Sequence, residues 1–104
     1  MLKFQVLFVL FFQILISVSI RAERTDSDLK YLLKHDCGSC HGMKLKGGLG
    51  PPLTKALMRG RNRDEIKGVI LSGRPGTAMP PWRSLVTEGE ANRLAEILIK
   101  GDDE

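Results

Sequence analysis

Aromatic side chains are scarce in this 104-residue chain, which has four phenylalanines, one tyrosine and one tryptophan. All four phenylalanines, Phe4, Phe8, Phe11 and Phe12, fall within the first 22 residues, so the 82 residues from Glu23 onward have only Tyr31 and Trp82. Those 82 residues hold 28 apolar side chains, about a third of their number. A chain near ~80 residues seldom holds a core together without disulfides, a metal or a cofactor, so a large enzyme core is excluded. Histidine and cysteine are also sparse: His35, His41, Cys37 and Cys40 are the whole supply. With one Tyr and one Trp there are few platforms on which bases could stack, which argues against nucleic acid as a partner. No run alternates with period two over the length of a strand and no internal repeat is visible, so the chain reads as one all-α domain.

The phenylalanines belong to a leader. Met1-Leu2-Lys3 is followed by an apolar run from Phe4 to Ile20, then Arg21-Ala22 and a polar stretch from Glu23. A positive start, an apolar middle and a small residue at the end describe a secretory signal peptide over residues 1–22, cleaved near Ala22, with Ser19 as the alternative last residue. The competing reading is a retained anchor, because the run lies at the lower limit of the ~17–25 residues that span a bilayer. Both readings export the domain at 23–104, which makes it periplasmic in a bacterium and exposes its cysteines to an oxidising compartment.

Charge is unevenly spread. Residues 44–74 carry eight basic side chains against two acidic ones, and residues 88–104 carry six acidic against two basic. A field segregated in this way can orient an encounter, and the basic run is either a solvated face or a docking surface for an acidic partner.

Three main helices are expected. The first starts at Asp26-Ser27, either of which can cap, and carries Leu29, Leu32 and Leu33 at i, i+3, i+4 as far as about Lys34. The second opens at Asn62 with Glu65 three residues on, presents Ile66, Val69 and Ile70, and stops at Gly73. The third opens on a capping box at Thr87 and Glu90, carries a stripe of Ala91, Leu94, Ala95 and Leu98, and ends at Gly101. A short helical turn is expected around 54–58. Between the helices lie two Gly/Pro-rich loops, 47–52 and 75–81, in which fixed proline φ angles and missing N–H groups forbid helix. Long ordered loops in so small a domain are usually functional.

Cys37-Gly38-Ser39-Cys40-His41 is a C-x-x-C-H sequence, the attachment signal of c-type haem. Two thiols in one helical turn can reach both vinyl groups on a porphyrin edge, and the adjacent imidazole then projects to the iron. A thioredoxin-like redox pair would need a βαβ setting, and a zinc site would need a second well-spaced pair of ligands; both are missing. A plain Cys37–Cys40 disulfide is the remaining alternative. For the second axial position, His35 and Met43 lie too near the attachment turn to reach the opposite face, and Met58 sits in a helical turn where packing is the simpler role. Met79 lies 38 residues after His41 in an extended Pro/Gly loop able to wrap the far face of the ring. Six-coordinate His/Met iron leaves no site for substrate and suits electron transfer, so the chain is not expected to be an enzyme.

These residues resemble the class I monohaem cytochromes c over nearly all of residues 23–104. The resemblance implies a small all-α fold wrapped around one covalently bound haem c, with Cys37 and Cys40 as thioether positions and His41 and Met79 as axial ligands. Gly50-Pro51-Pro52-Leu53 matches the family's G-P-x-L segment, which implies that the Pro51 carbonyl accepts a hydrogen bond from His41 Nδ1 and that Leu53 packs on the haem. The family's N- and C-terminal helices cross, which implies contact of Leu32 and Leu33 with Leu94 and Leu98; the aromatic pair that seals the crossing is represented here at most by Tyr31. The runs CGSCHGMKLKGGLGPPL and ILSGRPGTAMPPW are similar to the small NirC-type cytochromes c of denitrification gene clusters, found beside cytochrome cd nitrite reductases. That similarity implies a periplasmic single-electron carrier for nitrite reductase, or a factor in maturation of its d-type haem. Trp82 either packs on the haem edge with Nε1–H toward a propionate or fills core beneath the Met79 loop. Arg74 and Arg83 flank that loop and are either propionate partners or solvated.

Overall fold

The computed structural model describes residues 1–14 and 21–101. The leader residues 15–20, with the alternative cleavage after Ser19, and the acidic tail 102–104 lie outside the described residues. Every regular element among the described residues is helical: α1 (Leu2–Ile14), α2 (Asp26–Leu32), a π-helical turn (Leu33–Cys37), α3 (Gly38–His41), α4 (Lys55–Met58), α5 (Arg63–Ser72) and α6 (Glu88–Lys100). In α1 the side chains of Phe4, Phe8, Phe11 and Phe12 are all exposed, and none of them enters the core. No helix among the described residues is long and apolar enough to cross a membrane.

The cap of α2 lies one residue before the expected pair. Thr25 is the N-cap: its Oγ1 accepts from the Asp28 backbone N–H at 3.2 Å, and Asp28 Oδ2 accepts from the Thr25 N–H at 3.1 Å. With Asp26 or Ser27 as cap, the third helical residue would be Leu29 or Lys30, which has no carboxylate to return the bond, so Thr25 prevails. Nor does the backbone straighten out at Lys34. It widens into the π-turn, where the Gly38 N–H reaches the Leu33 carbonyl, and continues helical to His41.

The other two main helices begin where expected. In α5, Asn62 Oδ1 accepts from the Asp64 and Glu65 N–H groups at 2.8 and 3.2 Å. Ile66 is buried as expected, but Leu71 is the second buried residue, while Val69 and Ile70 are half-buried. The chain returning after the Met79 loop explains the difference: Trp82 N–H bonds the Ile70 carbonyl at 2.9 Å and Arg83 N–H that of Leu71 at 3.2 Å, pinning the end of α5. The α6 stripe of Ala91, Leu94, Ala95 and Leu98 is buried throughout, together with Ile97. Leu29, Leu32 and Leu33 join it in one cluster with Met58, Ile66, Leu71 and Val86, so α2, α4 and α5 all pack on α6. Tyr31 is exposed and stacks on His35 with ring centroids 4.1 Å apart, so it does not seal the helix crossing.

Within the described part of the acidic run, Glu90 and Glu96 are tied to arginines and do not form an open field. Glu90 is only 2% exposed and binds the segment preceding α2: its Oε2 accepts from Arg24 N and Nη1, both at 3.1 Å, and its Oε1 accepts from Thr87 N at 2.9 Å. Burial alone would raise its pKa, but the hydrogen bonds from Thr87 and Arg24 and the guanidinium charge outweigh that and hold the carboxyl below the usual glutamate range. Glu96 accepts from Arg63 and Arg93, and Arg93 also pairs with Asp26, so α2, α5 and α6 are laced together by charge.

Candidate haem site

His41 ends α3, and its half-buried imidazole places Nδ1 2.7 Å from the Pro51 carbonyl oxygen. A carbonyl can only accept, so Nδ1 carries the proton and the Nε2 lone pair is left for a metal. The loop that delivers Pro51 is fixed by its backbone. Gly47 N–H bonds the His41 carbonyl and Gly50 N–H the Cys40 carbonyl, each at 2.8 Å. Gly50 lies directly against the ring: a β-carbon there would stand 2.8 Å from His41 Cε1, closer than any real contact. Glycine at 50 is therefore required by the approach of this loop to the histidine.

Both thiols are free, Cys37 half-buried and Cys40 exposed. Burial, reinforced by the neighbouring Asp36 carboxylate, pushes the Cys37 thiol up to about 11. A thiol held protonated in this way is a poor nucleophile. Among the described residues no three His, Cys, Asp or Glu side chains come together as a metal cage.

Met79 is half-buried at the end of a loop closed by the Arg74 N–H to Met79 carbonyl bond at 3.1 Å. Inside it Thr77 Oγ1 donates to the Arg74 carbonyl at 2.7 Å and accepts from the Met79 N–H at 3.3 Å. Gly73, read from sequence only as a helix stop, does more: it has φ +65°, and a β-carbon would lie 2.6 Å from the Met79 carbonyl oxygen and 2.7 Å from Pro80 C and Pro81 N. The Met79–Pro81 backbone crosses where only a glycine fits. Thr77 and Gly73 thus fix the course of the Met79 backbone, which residue spacing alone does not reveal.

The other candidate side chains sit in different surroundings. Met58 is buried in the core, Met43 is exposed, and His35 is stacked on Tyr31. Trp82 is half-buried against the core and donates its backbone N–H to Ile70; Arg83 pairs with Glu88 at 3.6 Å. Leu45, Leu53, Ile70 and Cys37 are likewise half-buried at the margin of the core. Two free thiols, an imidazole with a free Nε2, a thioether and a margin of incompletely covered apolar side chains match the donor and contact needs of a covalently attached porphyrin.

Comparison with known proteins agrees with that chemistry. Residues 24–97 match the family model described as cytochrome c oxidase, cbb3-type, subunit III. The chain is 49% identical over 83 residues to cytochrome c55X of Paracoccus denitrificans, covering 80% of each chain. It is similar to the solved structure of the c-type cytochrome NirC, with a TM-score of 0.72 at 45% identity over 79% of this chain and 96% of that one. A second solved structure, the dihydro-heme d1 dehydrogenase NirN in complex with DHE, matches at TM-score 0.65 and 28% identity, over 72% of this chain but only 16% of that one. The chain thus belongs to the monohaem c-type cytochromes, in the cytochrome c55X family, whose members are electron carriers with covalently bound haem c.

Proposed function

We propose that the mature chain, residues 23–104 after cleavage near Ala22, is a periplasmic carrier that passes single electrons to a cytochrome cd-type nitrite reductase. Haem c, when bound, supplies the one-electron Fe(III)/Fe(II) couple. In this reading Cys37 and Cys40 would hold the porphyrin covalently, His41 Nε2 and the Met79 sulfur would ligate its iron, and Trp82 would pack against it. The observation that carries it is the 2.7 Å bond from His41 Nδ1–H to the Pro51 carbonyl, which fixes the tautomer and turns the ring for ligation. The 45% identity to NirC favours the nitrite-reduction setting.

The decisive experiment produces the protein with a cytochrome c maturation system, tests for covalent haem by pyridine haemochrome, and compares the wild-type and Met79→Ala spectra. Covalent haem, a low-spin wild type and loss of the methionine–iron charge-transfer band in the variant are expected. A high-spin wild type that binds CO readily would refute axial Met79. Mixing the reduced protein with nitrite reductase then tests the acceptor, and the rate should fall as ionic strength rises if the basic 44–74 region docks an acidic partner, since exposed charges are screened over ~8 Å at physiological salt.

A second reading rests on the likeness to NirN, in whose chain the matched part is a sixth or less of the length and whose name records oxidation of a dihydro-haem. In this reading the chain accepts electrons during maturation of the d-type haem. Deletion would then leave nitrite reductase without its d-type haem, whereas loss of a pure carrier would leave the reductase complete but unreduced.

A further inference from the structure

The four residues that open the domain are each fastened. Glu23 lies against the first turn of α6: its Oε1 accepts from Thr87 Oγ1 at 2.9 Å, and a β-carbon on Gly89 would run into its carboxylate. Arg24 gives its backbone N–H and its Nη1 to Glu90 Oε2, both at 3.1 Å, and the same Nη1 reaches the Leu85 carbonyl at 3.1 Å. Thr25 N–H is taken by Asp28 Oδ2, and Asp26 pairs with Arg93. Capping of α6 explains only half of the buried Glu90 carboxylate, because Oε1 accepts from Thr87 N–H whereas Oε2 is spent on Arg24. Arg21 and Ala22, just before this stretch, are exposed and lie in no helix. The fastened stretch thus starts at the first residue beyond the expected scissile bond. Its anchor is 66 residues away in sequence, so it cannot form until α6 has joined the domain.

We propose that residues 23–26 are a strap that gates removal of the leader: the Ala22–Glu23 bond is open to a membrane-bound signal peptidase only before the strap closes on α6, and a chain that folds first keeps its leader. The proposal rests on the leader boundary near Ala22 and adds to it what controls cleavage there. In the cleavage itself the bond from Ala22 C to Glu23 N breaks, and water supplies OH to the Ala22 carbonyl carbon and H to the Glu23 nitrogen; nothing is oxidised or reduced. An enzyme that reads an extended chain through its main-chain groups needs the N–H groups beside the bond, and the Arg24 N–H, second beyond it, is already spent on Glu90. Cleavage of a closed segment follows the small population in which that segment is open. Timing therefore sets the product: a chain cut during export is released as a free carrier, and one that closes first stays attached to its leader.

The test uses the full chain with haem attached, accumulated under a signal-peptidase inhibitor and held in detergent, and the full Cys37→Ala/Cys40→Ala chain as the unfolded substrate. Purified signal peptidase should cut the unfolded chain to a new N-terminal Glu23, and should cut the holoprotein about a hundredfold more slowly, since two charge-assisted bonds must open first. Trypsin gives a readout independent of the leader. It must take the arginine side chain into its own pocket, so in the holoprotein it should cut after the exposed Arg21 and spare Arg24. Glu90→Gln keeps the shape of the buried side chain but loses one acceptor oxygen; it should retain the wild-type haem spectrum and speed both the signal-peptidase cut and the trypsin cut at Arg24 by about tenfold. Gly89→Ala, which suits a helix and only pushes the Glu23 carboxylate off α6, should speed the signal-peptidase cut by less. Equal signal-peptidase rates on holoprotein and unfolded chain overturn the gating, as does a Glu90→Gln holoprotein that resists both enzymes as well as wild type does. A new N-terminus at Ile20 would instead show that the boundary after Ala22 is wrong, and the gating would fall with it.

Discussion

Replacing Gly73 by alanine tests whether the Met79 loop is held where it is by backbone contact. Two costs arise. The first is conformational: Gly73 has φ +65° and ψ −167°, a region essentially reserved for glycine, and a side chain there costs on the order of 1–3 kcal/mol. The second is steric, because the new methyl would lie 2.6 Å from the Met79 carbonyl oxygen, so the loop must retreat by about 1 Å to reach an ordinary contact. Such a displacement is enough to loosen a ligand whose position is set by its supporting shell. For a domain of this size each kcal/mol is worth ~4–8 °C in melting temperature, so Gly73→Ala should melt roughly 5–20 °C below wild type.

Gly76 supplies the control. It too has positive φ, +78°, but a β-carbon there meets nothing within 4 Å. Gly76→Ala therefore bears a backbone cost without displacing Met79. The assay is a circular-dichroism melt of each holoprotein together with the intensity of the methionine–iron charge-transfer band. Both variants should melt early, and only Gly73→Ala should lose band intensity. If Gly73→Ala retains the full band and melts with wild type, or if Gly76→Ala loses the band to the same degree, the reasoning from close approach is wrong.

Removing the Glu90 carboxylate in Glu90→Ala leaves Thr87 N–H and two Arg24 donors without their acceptor, and should cost about 2–4 kcal/mol, read by chemical denaturation. Because the folded pKa of Glu90 is depressed, its charge contributes stability above the unfolded glutamate value of ~4.3 and loses it as pH falls through the folded value; the gap between wild type and Glu90→Gln should narrow on acidification, and a constant gap would contradict the assignment. Gly50→Ala would bring a methyl to 2.8 Å from His41 Cε1, so the ring must turn from Pro51 and the ferric spectrum should gain high-spin character. The Cys37→Ala/Cys40→Ala chain, deprived of attached haem, should lack a cooperative melt.

Much of this architecture is legible in the sequence because the signals are local. The α6 stripe and its capping box follow from residues within one helix, and Thr87, Glu90 and Gly101 act as their types predict. The His41–Pro51 contact is legible by resemblance, since ten residues of fixed Gly/Pro backbone deliver it. What escapes is non-local or depends on competition between neighbours. Thr25 displaces Asp26 and Ser27 as cap only because Asp28 can answer it, and Leu71 is buried in place of Val69 because the returning 82–83 backbone pins α5. The π-turn leaves no mark in the apolar pattern, which ends at Leu33. The acidic run misleads most, since Glu90 and Glu96 are matched by arginines up to 66 residues away in sequence.

The scarcity of apolar side chains also looks different once the core is mapped. The buried cluster draws almost wholly on α2, α4, α5 and α6, with Val86 beside them, and the phenylalanines of the leader add nothing to it. Cys37, Leu45, Leu53, Ile70 and Trp82 touch that cluster but remain half-covered. A sixth, Ile99, lies on α6; these five come from the attachment turn, the flanks of the two Gly/Pro-rich loops, and the end of α5. A chain that stabilised itself by burial alone would have no reason to leave its only tryptophan and four of its apolar side chains incompletely packed around its loops. The shortage therefore has a location: the helices bury most of their apolar stripes, and most of the apolar side chains left half-covered lie on or beside the loops that present His41 and Met79.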